Sequence, residues 1–462
     1  MSTLDETPEA HTPAVDVTSE SFKRKFMFRL VAVMVGGMIL DGYILGIIGP
    51  VTSTIEDSLN INSLELGLIA AGPLFGIFIG APICGWATDK WGRKPMFLMD
   101  MGLFVLASFL QFFIAIGQFF VDDWIQLFVI RLLMGVAIGG EYAIGWPLLS
   151  EFAPARLRGR LLGSTVLAWY FGFMIAFFIG TLMDNAGINW RIILGSSTVI
   201  AVILFIARLG LPESPRWLLQ KGRIAEGQSI AKRYMNVVEA MEIELEAKHK
   251  EETSGKEGRF ADLFNKENIR ATVFASGFWF CASTPYFAIA TFAVVVLEDF
   301  GFGEDSAFGA VGMTVAATLG VATTAALLDK LGRRALTIPP QWVTLVLILI
   351  LAWWDGPGWL MLTMLLAFSF INSGVNTLTS VYPGEVFPTE VRGIGTGFAS
   401  ACSRIGAGLG TFLLPWSIDN LGMATSLTIA AIIILAGTLL SQALAPETKG
   451  KSLSETAATF SH

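Results

Sequence analysis

Residues 131–160 read RLLMGVAIGGEYAIGWPLLSEFAPARLRGR, and this stretch decides the fold. Its first part is apolar enough to cross a bilayer, yet it carries Arg131 and Glu141. An ionisable side chain inside a spanning helix is costly and marks a polar path by default. Its second part is a short polar turn holding Glu151, Pro154, Arg158 and Gly159. That turn returns late in the chain: Glu151-Phe-Ala-Pro154-Ala-Arg-Leu-Arg158-Gly159 parallels Glu385-Val-Phe-Pro388-Thr-Glu-Val-Arg392-Gly393. A charged membrane helix ending in a repeated turn predicts two related halves around a polar route.

The rest of the chain agrees. Only 15% of the 462 residues are charged and 53% are hydrophobic, against about 25% charged in a soluble domain. Twelve apolar runs near spanning length lie at roughly 27–49, 65–87, 95–118, 125–148, 160–183, 190–209, 270–296, 306–329, 336–354, 358–382, 393–416 and 422–444,. They lack the polar–apolar alternation of barrel strands, so helices are expected. Arg93, Lys94, Arg156, Arg158, Arg160, Lys330, Arg333, Arg334 and Arg392 fall in alternate short loops, and acidic residues dominate the others, where Arg191 is the lone basic exception. The excess of Lys and Arg predicts both termini and the long central loop on the cytoplasmic side. Residues 1–22 read as a disordered tail without a signal-peptide core. The three cysteines, Cys84, Cys281 and Cys402, lie in apolar runs and form no metal-ligand or disulfide pattern,.

Two more repeats fix the organisation. Asp89-Lys-Trp-Gly92-Arg93-Lys94 recurs as Asp329-Lys-Leu-Gly332-Arg333-Arg334, and Pro212-Glu213-Ser214 as Pro446-Glu447-Thr448. The expected domains are a tail (1–22), a six-helix bundle (23–209), a loop with amphipathic helices (210–268), a second six-helix bundle (269–445) and a second tail (446–462). Parallel repeats of this kind build large secondary transporters.

Within the spans, Asp41 lies about 14 residues, or roughly 21 Å, from the inner helix end, and Arg131 about 27 Å from its own. Similar depth suggests an Asp41–Arg131 pair. Glu141 lies about 15 Å further along, too far to pair with Arg131. Gly72, Gly76 and Gly80, with Gly135, Gly139, Gly140 and Gly145, predict close helix contact,. In the second half, Trp279, Thr284, Pro285 and Tyr286 share the seventh run, with Thr-Pro as a bending point. Asn372 and Asn376 lie one turn apart, and Arg404 falls near mid-membrane. A buried arginine needs an anion, supplied either by the protein or by a substrate.

The quoted motifs, together with Arg131-Leu-Leu-Met-Gly135, Pro-Glu-Ser-Pro-Arg-Trp at 212–217 and Pro-Glu-Thr-Lys-Gly at 446–450, resemble the major facilitator superfamily and its sugar-porter-like branch. Gly139-Gly140-Glu141-Tyr142 resembles a phosphate-symporter motif with Glu for Asp. Ser403-Arg404-Ile405-Gly406 resembles the eleventh helix of organic-anion transporters. The resemblance implies an all-α membrane protein with twelve transmembrane helices in two six-helix bundles, in a bacterial inner membrane. It implies a proton-sensitive Asp41–Arg131 pair, with Glu141 a further proton group. It also implies inner-face salt bridges among Asp89, Arg93, Glu151, Arg158, Glu213, Asp329, Arg333, Glu385, Arg392 and Glu447 that break as the inside opens. Tyr142, Trp169, Tyr286, Asn372, Asn376 and Arg404 are the expected substrate contacts. The expected function is proton-driven uptake of a small polar metabolite, an organic or aromatic carboxylate. A sugar or polyol, or export of a small molecule, is the alternative. Protons, lipid and a small solute are the expected partners of a monomer; no cofactor, metal, nucleic acid or enzymatic activity is expected.

Overall fold

The computed structural model describes residues 20–114, 121–153, 155–236, 240, 241, 243, 259–388 and 391–449. Helices dominate because a bilayer offers no water to satisfy the backbone, so each long apolar run must bond within itself. The first half comprises α1 (Glu20–Gly46), α2 (Thr52–Leu59), α3 (Ser63–Trp91), α4 (Arg93–Leu110), α5 (Asp123–Phe152), α6 (Ala155–Asn185), α7 (Trp190–Gly195) and α8 (Ser197–Arg208). Two short helices follow, α9 (Pro215–Gln220) and α10 (Ile224–Tyr234). The second half comprises α11 (Ile269–Thr291), α12 (Ala293–Asp299), α13 (Ser306–Leu331), α14 (Arg333–Trp353), α15 (Gly358–Val386), α16 (Arg392–Leu421) and α17 (Met423–Leu444).

Among the described residues, eleven segments are long and apolar enough to cross a membrane. The twelfth is α16, which has the length, 30 residues, but a composition diluted by Arg404, serines and glycines. The fold is therefore the expected one, two sets of six spanning helices. The basic turns, the start of α1 and the end of α17 share one face, called here the terminal face.

Close packing follows from the glycines. A Cβ at Gly76 would strike the backbone of Leu132 and Gly135, and one at Gly139 the backbone of Ala81. Thus α3 and α5 touch backbone to backbone. Likewise Gly42 on α1 abuts the Trp169 carbonyl on α6. At the terminal face α10 seals the first half: Tyr234 packs 4.6 Å from Phe26, which lies 5.3 Å from Phe152. Of the expected loop helices, only the portions inside the described residues are visible. The expected bend at Thr284-Pro285 is not a break: α11 continues through it, with Thr284 Oγ1 donating to Phe280 O at 2.7 Å. It stops instead at Phe292, before α12.

The halves meet away from the terminal face. Gly67 of α3 abuts Phe412 of α16, and Gly408 of α16 abuts Phe75 of α3. Mid-bundle, Thr318 of α13 donates to Tyr170 O of α6 at 3.4 Å. The halves touch at the far face, and Gly393 and Gly397 of α16 face open space near the terminal one.

Candidate functional site

Three constructions carry the polar residues: a pair of clasps, a buried charge cluster and a cavity. Each clasp starts from a glycine. Gly92 (φ +108°) and Gly332 (φ +88°) have backbones that side chains disfavour,. Each starts a new helix whose free N–H groups point at a carboxylate. Glu213 accepts from the N–H of Arg93 at 2.9 Å and of Lys94 at 3.1 Å. Glu447 accepts from Arg333 at 3.1 Å and Arg334 at 3.0 Å. Beside them Arg93 pairs with Glu151 at 2.7 Å, and Arg333 with Glu385 at 2.9 Å. Ser214 and Thr448 donate to those same two glutamates. The sequence repeat is thus a structural repeat down to its hydroxyl.

This corrects the expected gate. Glu213 and Glu447 bind helix N-termini through backbone N–H groups, because a helix start offers several donors and positive potential together,. Each clasp lies within one half. Asp89 is exposed, and its backbone carbonyl accepts from Trp217 Nε1 at 3.1 Å. Arg392 donates to Phe387 O at 3.1 Å. The side chains of Arg158 and Asp329 lie outside the described residues.

Burial raises the Glu447 carboxyl, but the N–H groups of Lys449, Arg333, Arg334 and Thr448 outweigh it and hold the group below the usual carboxylate range. A lowered folded value means stability present above the unfolded value and lost as pH falls through the folded one. Glu447→Gln is therefore expected to lower thermal stability in detergent at pH 7 by about 1–2 kcal/mol, the cost of a lost cap. The gap to the wild type should close as the pH falls through the lowered Glu447 value. A pH-independent gap would assign the loss to packing.

The second construction is a charge cluster that the sequence did not announce. Arg208, at the end of α8, is 1% exposed. It pairs with Glu141 at 2.5 Å and Asp100 at 3.5 Å. Its guanidinium lies 3.6 Å from the Phe97 ring centroid. Gly37 of α1 faces both Glu141 and Arg208, and Asp41 stands one turn further along α1. Asp41 is 0% exposed, and neither oxygen has a hydrogen-bond partner among the described residues.

The expected Asp41–Arg131 pair is absent. Arg131 donates to Ile69 O at 3.0 Å and Ile44 O at 3.5 Å. Helical side chains lean toward their own N-terminus. Since α1 and α5 run in opposite directions, Asp41 leans toward the terminal face and Arg131 away from it. Equal depth of the two backbones therefore does not bring the side chains together. Glu141 does find a partner, but on α8.

The cavity lies between the halves, and encloses about 560 Å³ of empty space counted to its open mouth. Tyr142, Trp169, Asn376 and Arg404 line it, as expected, and so do Trp146, Tyr170, Trp279, Ser283, Phe287, Thr379 and Ser380. Tyr142 and Trp146 stack, with centroids 5.0 Å apart. Arg404 sits 5.6 Å from the Tyr142 ring and 5.7 Å from Phe287. Among the described residues it has no carboxylate in ion-pair contact, and its Nε has no partner. Trp146 Nε1 is likewise unpartnered. Asn372 and Tyr286 sit behind the wall. Asn372 accepts from Asn376 Nδ2 at 3.0 Å, and Tyr286 packs on Tyr170 with centroids 5.7 Å apart. They support cavity residues without lining the cavity. Trp146 was missed because a tryptophan near a helix end reads as a membrane-interface anchor.

Comparisons with known proteins agree with this architecture. A family model described as "Sugar (and other) transporter" matches residues 29–460. The inner membrane metabolite transport protein YgcS of Escherichia coli (strain K12) is 33% identical over 433 residues, covering 93% of each chain. The D-xylose transporter of Levilactobacillus brevis is 25% identical over 440 residues, covering 92% of this chain and 93% of its own. The E. coli xylose transporter XylE, solved in a partially occluded inward open conformation, shares the fold. Its TM-score is 0.78 at 19% identity, over 93% of this chain and 100% of that one. With the family model spanning nearly the whole chain, the protein belongs to the sugar (and other) transporter family of the major facilitator superfamily: it is a multi-pass membrane transporter of small molecules, not an enzyme.

Proposed function

We propose that this transporter takes up a small polar organic metabolite together with protons, and that the metabolite is a carboxylate. The observation that carries the substrate class is Arg404. It stands in the cavity wall with no carboxylate in ion-pair contact among the described residues, and its free Nε and that of Trp146 are both donors. A guanidinium that lines a cavity with no bonded carboxylate is a ready partner for an anion. A ligand carboxylate completes the site, while Trp169, Tyr142 and Phe287 pack its apolar body. Asn376, Thr379 and Ser283 then contact hydroxyl or carbonyl groups. Asp41 and Glu141 carry the proton. The halves 23–209 and 269–445 move as units, each kept rigid by its clasp, and expose the cavity alternately. The terminal face is cytoplasmic, in a bacterial plasma membrane, because it bears the basic loops.

A sugar or polyol is the second reading. It is favoured by the name of the L. brevis relative, a D-xylose transporter, and by the hydroxyl-rich part of the wall. A thermal-shift series against acids, sugars and polyols separates the two, because a ligand at 100 times its Kd adds about 2.7 kcal/mol to the native state. Stabilisation by acids alone supports the carboxylate; stabilisation by neutral sugars alone rejects it. Coupling is tested with the stabilising ligand in proteoliposomes. An imposed inward proton gradient is expected to drive accumulation, and Asp41→Asn or Glu141→Gln to abolish it. Accumulation unchanged in both variants would remove these residues from the proton path.

A further inference from the structure

The cluster around Arg208 has a charge balance that the proton reading above does not use. Asp41, Asp100 and Glu141 are 0%, 5% and 2% exposed, and Arg208 is the one guanidinium in ion-pair contact with any of them among the described residues. Neither oxygen of Asp100 accepts a hydrogen bond from a described donor. Asp100 and Glu141 meet at one guanidinium, Asp100 on Nη1 and Glu141 on Nη2 of Arg208. Gly140 places no side chain between them: a Cβ there would meet Asp100 Oδ1 and Cys84 Sγ. Arg404 and Tyr142 face the cluster from the cavity side, and Cys84 faces it from α3. Arg131 is held elsewhere by the Ile69 and Ile44 carbonyls.

Three ionised carboxylates against one bonded cation leave negative charge in a dry interior, where an uncompensated ion is expensive. Two carboxylates gathered on one guanidinium repel each other when both are ionised; one proton between them removes the conflict. Asp41, with no hydrogen-bond partner among the described residues, is the third member of the same balance. Its neighbours on α1 reach the cavity: Met38 lines it, and Gly42 abuts the backbone of Trp169.

We propose that Asp41, Asp100, Glu141 and Arg208 form a single proton-binding site, in which Arg208 is the fixed cation and Asp100 shares the proton with Glu141. Asp100 and Arg208 thereby join the proton machinery, and Arg131 leaves it. The use of the site in transport rests on the proton-coupled reading; its existence does not.

The test needs no substrate. Infrared difference spectra are recorded on the full-length protein in liposomes, stepping pH. The wild type is expected to show the C=O absorption of a buried protonated carboxyl. Asp100→Asn and Glu141→Gln, which keep side-chain shape, are each expected to shift or remove it. Arg208→Lys keeps the cation and the band, whereas Arg208→Gln raises the carboxyl absorption, because more protons are needed for balance. Arg131→Lys leaves the spectrum unchanged. An Asp100→Asn spectrum identical to wild type, or an Arg131→Lys shift equal to that of Arg208→Gln, overturns the site. Size-exclusion profiles confirm that each variant is folded. Should Arg208→Gln not fold, the Asp100→Asn and Glu141→Gln spectra decide alone. Spectra as expected, with uptake indifferent to a proton gradient, would leave the site standing and remove the coupling. Gradient-driven uptake with an unaltered Asp100→Asn spectrum would do the reverse.

Discussion

Arg404→Ala is expected to reduce uptake of a carboxylate substrate by roughly 30-fold to several thousandfold, the equivalent of the 2–5 kcal/mol lost when one partner of a buried charge pair is truncated. The magnitude follows from the surroundings of the guanidinium. It is half-buried, flanked by the Tyr142 and Phe287 rings, and no described carboxylate pairs with it. In alanine the ligand's charge has no counter-ion when the halves close around it, so the penalty appears on closure. Arg404→Lys should recover part of the loss, since it restores charge but not the planar fork that meets a carboxylate at two points. Initial-rate uptake in proteoliposomes, using an acid that stabilises the wild type, provides the measurement. The contrast with a neutral sugar is decisive. If a sugar is carried and Arg404→Ala carries it equally well, Arg404 serves packing over the aromatic rings and the carboxylate reading falls.

The candidate site was partly legible because some of its signals are local. A charge inside an apolar run stands out, so Asp41, Glu141 and Arg404 could be selected by composition alone. A repeated turn stands out too, which located Arg93, Glu151, Arg333 and Glu385. What failed was azimuth and partnership. Depth along a helix is counted in residues, but the direction of a side chain depends on the neighbours of the helix. Asp41 and Arg131 matched in depth and still point apart. Arg208 escaped notice because it closes an apolar run, where basic residues ordinarily reach into headgroups. Instead its helix ends against Phe97 and Asp100, inside the bundle. Glu213 and Glu447 bind backbone N–H groups, and a backbone donor leaves no mark in the sequence.

The fold was legible for a different reason. Long apolar runs admit one solution in lipid, and the glycines that let the runs approach are visible as a spacing. That spacing supports the second large effect. Gly135→Val is expected to cost about 3 kcal/mol or more, the upper range of overpacking, and to abolish recovery of folded protein. A Cβ at Gly135 would come closer than 3.0 Å to three backbone atoms of Pro73. Backbone cannot rotate away as a side chain can, so α3 and α5 must separate along their whole contact. That contact includes Gly76 against Leu132 and Gly139 against Ala81, and α5 carries Glu141 and Tyr142. Displacing it disturbs the charge cluster and the cavity together. Gly163→Ala is the matched control, because a Cβ there has no atom within 4 Å. Monodisperse yield and melting temperature in detergent give the comparison. Wild-type behaviour of Gly135→Val would mean that the two helices tolerate separation, and that the glycine spacing does not set the distance between them. Loss in Gly135→Val with Gly163→Ala unchanged ties the effect to backbone contact, rather than to the absence of glycine in a membrane helix.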